Sequence, residues 1–575
     1  MGKRKKMAVS EKVSVAEGYL SALQAAGIRY VFANSGSDFP PIIEGLARMR
    51  RRGERAPQFI TVPHENVALC MAQGYAKVSG EASCVMVHVN VGTANTVCAM
   101  MNAARDNVPI LLAAGRTPLT ESGHAGSRDR VIHWMQENFD QAAIVRESVK
   151  WEYELRRGQP VKAIVHRAIN IAMSEPRGPV YLTLPRETLI DDMDEPSSAS
   201  DIASSRPVPA APALHALEQA ADLIAGAQMP LIIAGHACKT SRSFAALGTL
   251  ADRAGIAVTS GAHANIASGH PMNLGPVTEQ LLQAADLIVV IEAPVPWLPR
   301  YMQPNGDAKV IHIAHDPFYR TYPLRNFPID MAIAGDPGIA IELLAEMLAV
   351  RLRSKAAAVD ARRKLVADHH RKIVETRKAT IESLRNVTPI SPVIVADALN
   401  QVRDKDAIVV DEMGSGYHYL DMHRHDGFIA GNSGGLGMAH GQAIGAKLAA
   451  GNRQVISTIG DGSYMFGVPL AAHYVERAEK LPTLTMVFNN AQWNAVAKSV
   501  TAVYEDSEAA RQNEMPLVAL APSPDYEMVT QSCGGYGARV EDPEMLVPAI
   551  EKALQANADG RQATLNIITG ERISR

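Results

Sequence analysis

Gly460-Asp461-Gly462-Ser463, followed one apolar run later by Asn489-Asn490, sets a carboxylate, two glycines and a pair of amides at positions where chemistry is possible. Glycines let a backbone approach a phosphate closely, and a carboxylate with an amide oxygen offers hard ligands to a divalent cation. The run 454–459 reads as a buried strand ending at Gly460, and 484–488 as a second one ending at the asparagines. Ligands of open parallel sheets gather outside the carboxyl ends of strands, so both tips are expected at one sheet edge. Alone, Gly-Asp-Gly is an ordinary turn and Asn-Asn an ordinary loop. Their pairing at two strand ends favours a phosphate-and-metal site.

The rest of the chain bounds what surrounds this site. Its 575 residues suffice for several domains, and a net charge of −3 with a pI near 6.7 shows no global drive toward nucleic acid or an anionic membrane. The basic opening Met1-Gly2-Lys3-Arg4-Lys5-Lys6 is followed by no apolar region and reads as a disordered tail. No apolar run approaches the roughly 18 residues that cross a bilayer. Cys70, Cys84, Cys98, Cys238 and Cys533 are odd in number and lack a Cys-x-x-Cys pair, which argues against disulfides and zinc and fits a reducing cytoplasm.

Strand-like runs at 30–33, 84–89, 110–114 and 180–184 alternate with Ala-rich helical stretches, which predicts an α/β domain with a parallel sheet. The Ser/Ala/Pro-rich segment 195–212 reads as a linker. Strands at 230–234, 256–259, 285–291 and 309–313 predict a second α/β unit ending near residue 350. The charged stretch 351–378 reads as a solvated linker helix, and a third α/β unit from about 388 carries the glycine and asparagine motifs.

Further segments lie in a telling order. They are Val31 to Ser37, Pro63-His64-Glu65-Asn66-Val67-Ala68 running into Met71 to Lys77, Gly178 to Pro185, and Ser433-Gly434-Gly435-Leu436-Gly437. Together with Gly460 to Ser463 and Asn489-Asn490, they resemble, over nearly the whole chain, the thiamine-diphosphate enzymes of the acetohydroxyacid synthase, pyruvate decarboxylase and benzoylformate decarboxylase type. The resemblance implies an α/β fold of three doubly wound parallel-sheet domains. These are a pyrimidine-binding domain 1–194, a central Rossmann-like domain 213–350 and a diphosphate-binding domain 388–575, joined by a linker 195–212 and a helical linker 351–387. It implies thiamine diphosphate and Mg2+ as cofactors. Asp461, the Asn490 side chain and the Gln492 carbonyl would hold the metal, while Gly460, Gly462 and Ser463 would lie at the diphosphate. Leu436 would support the bent cofactor beneath its rings, flanked by Gly437 and Met438. Glu65 would be the carboxylate that hydrogen-bonds the pyrimidine and promotes formation of the thiazolium ylide. In this family the ylide adds to a 2-oxo carbonyl, carbon dioxide leaves, and the resulting enamine is protonated to an aldehyde or transferred to a second carbonyl. The family binds its cofactor between subunits, which implies a homodimer or homotetramer and a small 2-oxo acid or other carbonyl compound as substrate.

Local likeness is to benzoylformate decarboxylases. Ser37 matches their substrate-carboxylate serine, and His88 matches the spacing of their first catalytic histidine from the glutamate. The segment Ala293-Pro294-Val295-Pro296-Trp297-Leu298-Pro299 departs from them, because it has no second histidine and offers Trp297 instead. Gln136-Glu137 resembles a segment of acetohydroxyacid synthases and pyruvate oxidases. The nearby His124, Arg128 and His133 could contact an anionic substrate, but solvation is the preferred reading. Trp493, Val496 and Ser499, on an expected helix, are candidates with Gln136 and Trp297 for the substrate pocket. The central domain could carry FAD, as in some family members, but no flavin motif is seen at 292–297 and Gly235-His236-Ala237 is no dinucleotide fingerprint, so flavin is not predicted. The resulting expectation is a cytoplasmic 2-oxo acid decarboxylase with possible carboligation. The alternatives are an acetolactate-synthase-like transferase, a flavin-linked oxidase and a non-catalytic scaffold.

Overall fold

Runs of aliphatic and β-branched residues form the central strands of three sheets, each parallel throughout. The structure is a computed structural model and describes residues 12–193, 207–261, 263–412, 416–431, 434–504, 508–511 and 515–570. The basic opening 1–6, residues 195–206 of the expected linker and Ser433 lie outside them. The described chain divides into two compact units. The first holds the N-terminal sheet together with Gly434 and Gly435, and the second holds the central and C-terminal sheets.

In the first unit the strands are β1 Tyr30–Ala33, β2 Gln58–Thr61, β3 Ser83–Val87, β4 Ile110–Arg116, β5 Glu152–Glu154 and β6 Val180–Pro185, in the spatial order β2-β1-β3-β4-β6-β5. The chain runs outward from β1 to β2 and then returns to the other side of β1. The carboxyl ends of β1 and β3 therefore flank a topological switch point, where a parallel sheet leaves a crevice. Burial on both faces explains the near-continuous apolar runs, for example Ser83–Val87 with every residue buried.

The central sheet comprises β7 Pro230–Ala234, β8 Ala257–Ser260, β9 Leu287–Ile291, β10 Lys309–Ala314 and β11 Met331–Ala334, ordered β8-β7-β9-β10-β11. The C-terminal sheet comprises β12 Ile408–Asp411, β13 Phe428–Ala430, β14 Val455–Gly460, β15 Leu484–Asn489, β16 Tyr536–Val540 and β17 Ala563–Ile568, ordered β13-β12-β14-β15-β17-β16. Its switch point lies between β12 and β14, so the residues after those strands and after β15 share one edge. Ser268 and Met422 join the two sheets' surroundings through reciprocal bonds of 2.9 and 2.8 Å.

The expected strands are present with ends shifted by one or two residues. Edge strands β2, β5 and β16 escaped the sequence reading because they are short and mixed in polarity, and β11 because it is only four residues long. The charged stretch read as a solvated helix is the helix Ala356–Leu384, and one of its faces is docked. Val359 and Val366 join the central core, and buried Arg362 donates to the carbonyls of Ala227 (2.7 Å) and Ala254. That correction follows from the long Arg side chain, whose apolar stem packs while its head finds carbonyls.

Candidate active site

In the first unit Glu65 opens the helix Glu65–Ser79, which His64 caps by accepting the Asn66 N–H at 3.2 Å and which stops at Gly80 with φ +73°. The Glu65 carboxylate is buried, 6% exposed, and accepts from the side-chain amides of Asn34 and Asn95, both at 3.0 Å, one on each oxygen. Asn34 follows β1 and Asn95 ends the helix Val89–Asn95, so two elements orient one carboxylate. Gly92 on that helix allows the close approach, because a Cβ there would lie 2.9 Å from Val87 Cβ and 3.3 Å from Glu65 Oε1.

His88 follows β3 on the opposite side of the switch point from Asn34. Its Nδ1–H donates to Asp38 Oδ1 at 2.5 Å, which leaves Nε2 for a ligand. Two glycines make room for this pair. A Cβ on Gly36 would lie 2.1 Å from His88 Nδ1, and one on Gly115 would lie 1.5 Å from Asp38 Oδ2. The bond to Asp38 raises the imidazole above its ordinary value against the opposing effect of burial, with smaller contributions from Gln136 and Glu65. Val89, directly after His88, has φ +27°, a strained value for a β-branched residue. It is held there by Thr93, which donates to the Val89 carbonyl at 2.7 Å and bonds Tyr181 at 2.9 Å, while Gln141 donates to Tyr181 at 2.8 Å.

Ser37 is half-buried on the turn between Gly36 and Asp38, and Gln136 approaches His88 with its carbonyl oxygen buried and unpartnered. The neighbouring loop departs from expectation. Arg128 pairs with Glu137, His124 lies 3.1 Å from Asp191, and His133 is buried beside Asp129, so all three are structural rather than solvated. Glu137 also accepts from Arg116 at 2.9 Å and Thr117 at 2.7 Å, which anchors Gln136 from the next position.

In the second unit the two motifs meet. Asp461 is 3% exposed and its Oδ1 accepts the Gly462 N–H at 2.8 Å, whereas Oδ2 is buried with no partner. Burial raises its carboxyl, and the amides of Gly462, Ala491, Asn490 and Gln492 partly offset this. The Asp461 carboxyl therefore lies beside the asparagine loop, with its Oδ2 unpartnered. Asn490 Oδ1 accepts the Gln492 N–H at 3.1 Å, and the Gln492 carbonyl accepts from Asn494 at 2.9 Å, each keeping lone pairs for a cation. Asn489 is the brace beneath them, bonded to Ala491 (3.1 Å), Ser523 (3.0 Å) and Asn566 (3.1 Å). Trp493 packs on the bare face of Gly462, where a Cβ would come within 2.3 Å of its ring. These residues fit a diphosphate–Mg2+ group: a desolvated carboxylate oxygen lacks a partner, and glycine backbone borders it.

Leu436 is half-buried at the entry to the helix Ala439–Ala450. Gly437, at φ +80°, must be glycine, since a Cβ would lie 2.5 Å from Gly467 Cα. Met438 turns its side chain inward over Gly431, which leaves only its backbone for a cofactor role. Glu412, after β12, was missed by the sequence reading. Its carboxylate accepts the N–H groups of Gly437 at 2.5 Å and Ala439 at 2.7 Å, and burial pushes it up to about 7. Its acidic type at a strand end beside Asp411 was the available signal.

Gly460 ends β14 and Ser463 is buried in the helix Asp461–Phe466. Val496 and Ser499 are exposed on the helix Asn494–Val503, one turn apart. Trp297 is a correction: it is 3% exposed in the central core, edge-on to Phe327 at 5.2 Å, and packing accounts for it. Gly235 likewise answers to packing, as its missing Cβ would lie 2.2 Å from the Glu292 carbonyl oxygen. No described helix is long and apolar enough to cross a membrane.

Three family models match in chain order: the N-terminal TPP binding domain of thiamine pyrophosphate enzymes at 13–144, their central domain at 217–344 and their C-terminal TPP binding domain at 413–566. Benzoylformate decarboxylase of Pseudomonas aeruginosa is 25% identical over 93% of this chain and 95% of its own. Acetolactate synthase large subunit of Mycobacterium tuberculosis is 26% identical over 95% and 94%. The solved thiamine diphosphate-dependent 4-hydroxybenzoylformate decarboxylase of Rhodococcus jostii shares the fold, with a TM-score of 0.79 at 23% identity over 98% of this chain and 100% of that one.

Proposed function

The chain belongs to the thiamine pyrophosphate enzymes, and from that premise we propose that it is a Mg2+-dependent enzyme cleaving the carbon–carbon bond beside the carbonyl of a 2-oxo acid. The observation that carries this reading is the Glu65 carboxylate, clamped by Asn34 and Asn95 next to the His88–Asp38 pair. When bound, thiamine diphosphate supplies a carbon nucleophile and an electron sink for the departing carbon dioxide. Glu65 accepts a hydrogen bond from the pyrimidine and fixes its tautomer. His88, hydrogen-bonded to Asp38 and so favoured toward its charged form, would present Nε2–H to the substrate and donate that proton to the acyl carbon. Ser37 orients the substrate carboxylate. Asp461, Asn490 and the Gln492 carbonyl hold Mg2+ against the diphosphate, and Trp493, Val496 and Ser499 border the acyl side chain.

A decarboxylase and an acetolactate synthase among the relatives support both proton delivery and carbon–carbon bond formation as outcomes. One observation favours the second. Segment 293–299 carries no histidine and Trp297 is packed away, so His88 would work as a single proton donor, and transfer of the acyl fragment to a second carbonyl competes with protonation. We place the protein in the cytoplasm as a homodimer or homotetramer. Val131, Met135 and Phe139, apolar and 75%, 76% and 111% exposed on the first unit, are suited to burial in such an interface.

The test is incubation with Mg2+, thiamine diphosphate and a panel of aliphatic and aromatic 2-oxo acids, following carbon dioxide and organic products together. Carbon dioxide with a matching aldehyde establishes the lyase, and a hydroxyketone or acetohydroxy acid establishes the transferase. Glu65→Gln should lose about 10²- to 10⁴-fold in turnover; undiminished turnover would refute the assignment of Glu65.

A further inference from the structure

Behind the cofactor motifs, four helices of the second unit meet at a buried polar cluster centred on Glu476. Glu476, on the helix Pro469–Glu479, accepts at Oε2 from His440 Nε2–H (3.1 Å) and His473 Nδ1–H (2.7 Å), and at Oε1 from Thr483 (2.5 Å). Because His473 donates from Nδ1, its Nε2 is the acceptor for the Tyr464 hydroxyl at 2.7 Å, with Thr530 at 2.9 Å from the same nitrogen. His440, His473 and Glu476 are each no more than 1% exposed. Burial by itself would raise the Glu476 carboxyl, but the two imidazoles hold it down to about 2. A buried carboxylate contributes little to stability compared with apolar packing, yet it is directional and tolerates one arrangement of its partners.

The cluster's attachment points follow the cofactor segments closely. His440 is in the first turn of the helix that continues from Leu436-Gly437-Met438, and Tyr464 directly follows Ser463. Segment 436–438 also touches the far end of the helix Asp461–Phe466 through bare backbone, since a Cβ on Gly437 would lie 2.5 Å from Gly467 Cα and 2.6 Å from its nitrogen. Such a contact has no side chain to absorb a shift, so the spacing of the segments depends on what grips the helices behind them.

We propose that Glu476 is a positioning residue that, through His440 and His473, locks segment 436–438 against segment 460–463 and so sets the affinity for thiamine diphosphate. This rests on the reading of those segments as the cofactor site. The full-length protein, its Glu476→Gln and Glu476→Asp variants and Tyr464→Phe would be titrated with thiamine diphosphate at saturating Mg2+, by calorimetry and by quenching of tryptophan fluorescence, with apoprotein melting recorded alongside. Glu476→Gln is expected to raise Kd at least about tenfold, about 1.4 kcal/mol, with kcat at saturating cofactor within about threefold of wild type. Glu476→Asp should recover part of the affinity, and Tyr464→Phe should raise Kd by a smaller factor. An unchanged Kd in a folded Glu476→Gln, or in Tyr464→Phe should Glu476→Gln not fold, overturns the proposal. Failure of the wild-type protein to bind thiamine diphosphate overturns the reading of the site itself and this role with it.

Discussion

Asp38→Asn keeps the shape of the group beneath His88 and removes its charge, which isolates what the carboxylate does for the imidazole. The two side chains are 5% and 18% exposed and 2.5 Å apart, so solvent screens the interaction weakly. A charge-assisted hydrogen bond of this kind contributes about 1.5–3 kcal/mol. At about 1.4 kcal/mol per tenfold, losing it lowers kcat by about tenfold to about a hundredfold where the charged imidazole is the working form. The sign follows from the geometry. Asp38 raises the His88 value, so in Asp38→Asn the imidazole loses its proton at lower pH and the alkaline limb of the rate profile moves toward neutrality. The bond's contribution to folding is complete below the ordinary imidazole value and fades as pH rises through the raised one, so the variant loses more stability at pH 6 than at pH 9, both chosen as approximate brackets of that window. The assay is steady-state kcat and kcat/KM for carbon dioxide release from about pH 5.5 to about pH 9. A profile superimposable on wild type, limbs and height alike, would refute the coupling of Asp38 to His88.

Gly115→Ala should act on the same pair from outside it. Its Cβ would lie 1.5 Å from Asp38 Oδ2, so the carboxylate must move, and the rate profile should shift as in Asp38→Asn with little added effect in the double variant. Gly462→Ala drives a methyl into the Trp493 ring at 2.3 Å and should weaken cofactor binding by about tenfold or more, read as Kd, while the fold survives. Glu412, pushed up to about 7, stays protonated in the folded state where an unfolded carboxyl has ionised. Its contribution therefore makes the apoprotein less stable as pH rises from about 5 to about 7, by at most about 3 kcal/mol. Calorimetric melting should show a flatter pH dependence over that window in Glu412→Gln than in wild type, and equal slopes would refute the assignment.

The sequence by itself determined the strands at the centre of each sheet, because residues buried on both faces must be apolar without interruption, and it marked the ends of β14 and β15 through Gly460-Asp461-Gly462 and Asn489-Asn490. It also picked out Glu65 and His88, through the resemblance of their segment and spacing to the thiamine-diphosphate enzymes. Only the tertiary structure decided how those groups are tuned. Asp38 reads in sequence as an ordinary turn residue, and its role depends on bare backbone at Gly36 and Gly115, the second from a strand far along the chain. Asn34 and Asn95 converge on Glu65 from two elements, Glu412 reaches amides at 437 and 439, and Glu476 gathers histidines from two helices. Trp297 errs the other way, since a lone tryptophan beside a strand end has the same appearance in sequence whether it lines a pocket or fills a core. Periodicity and motif spacing are local properties of the chain, whereas hydrogen-bond partners, desolvation and the space left by a missing Cβ are set by residues brought together at sheet switch points and helix crossings.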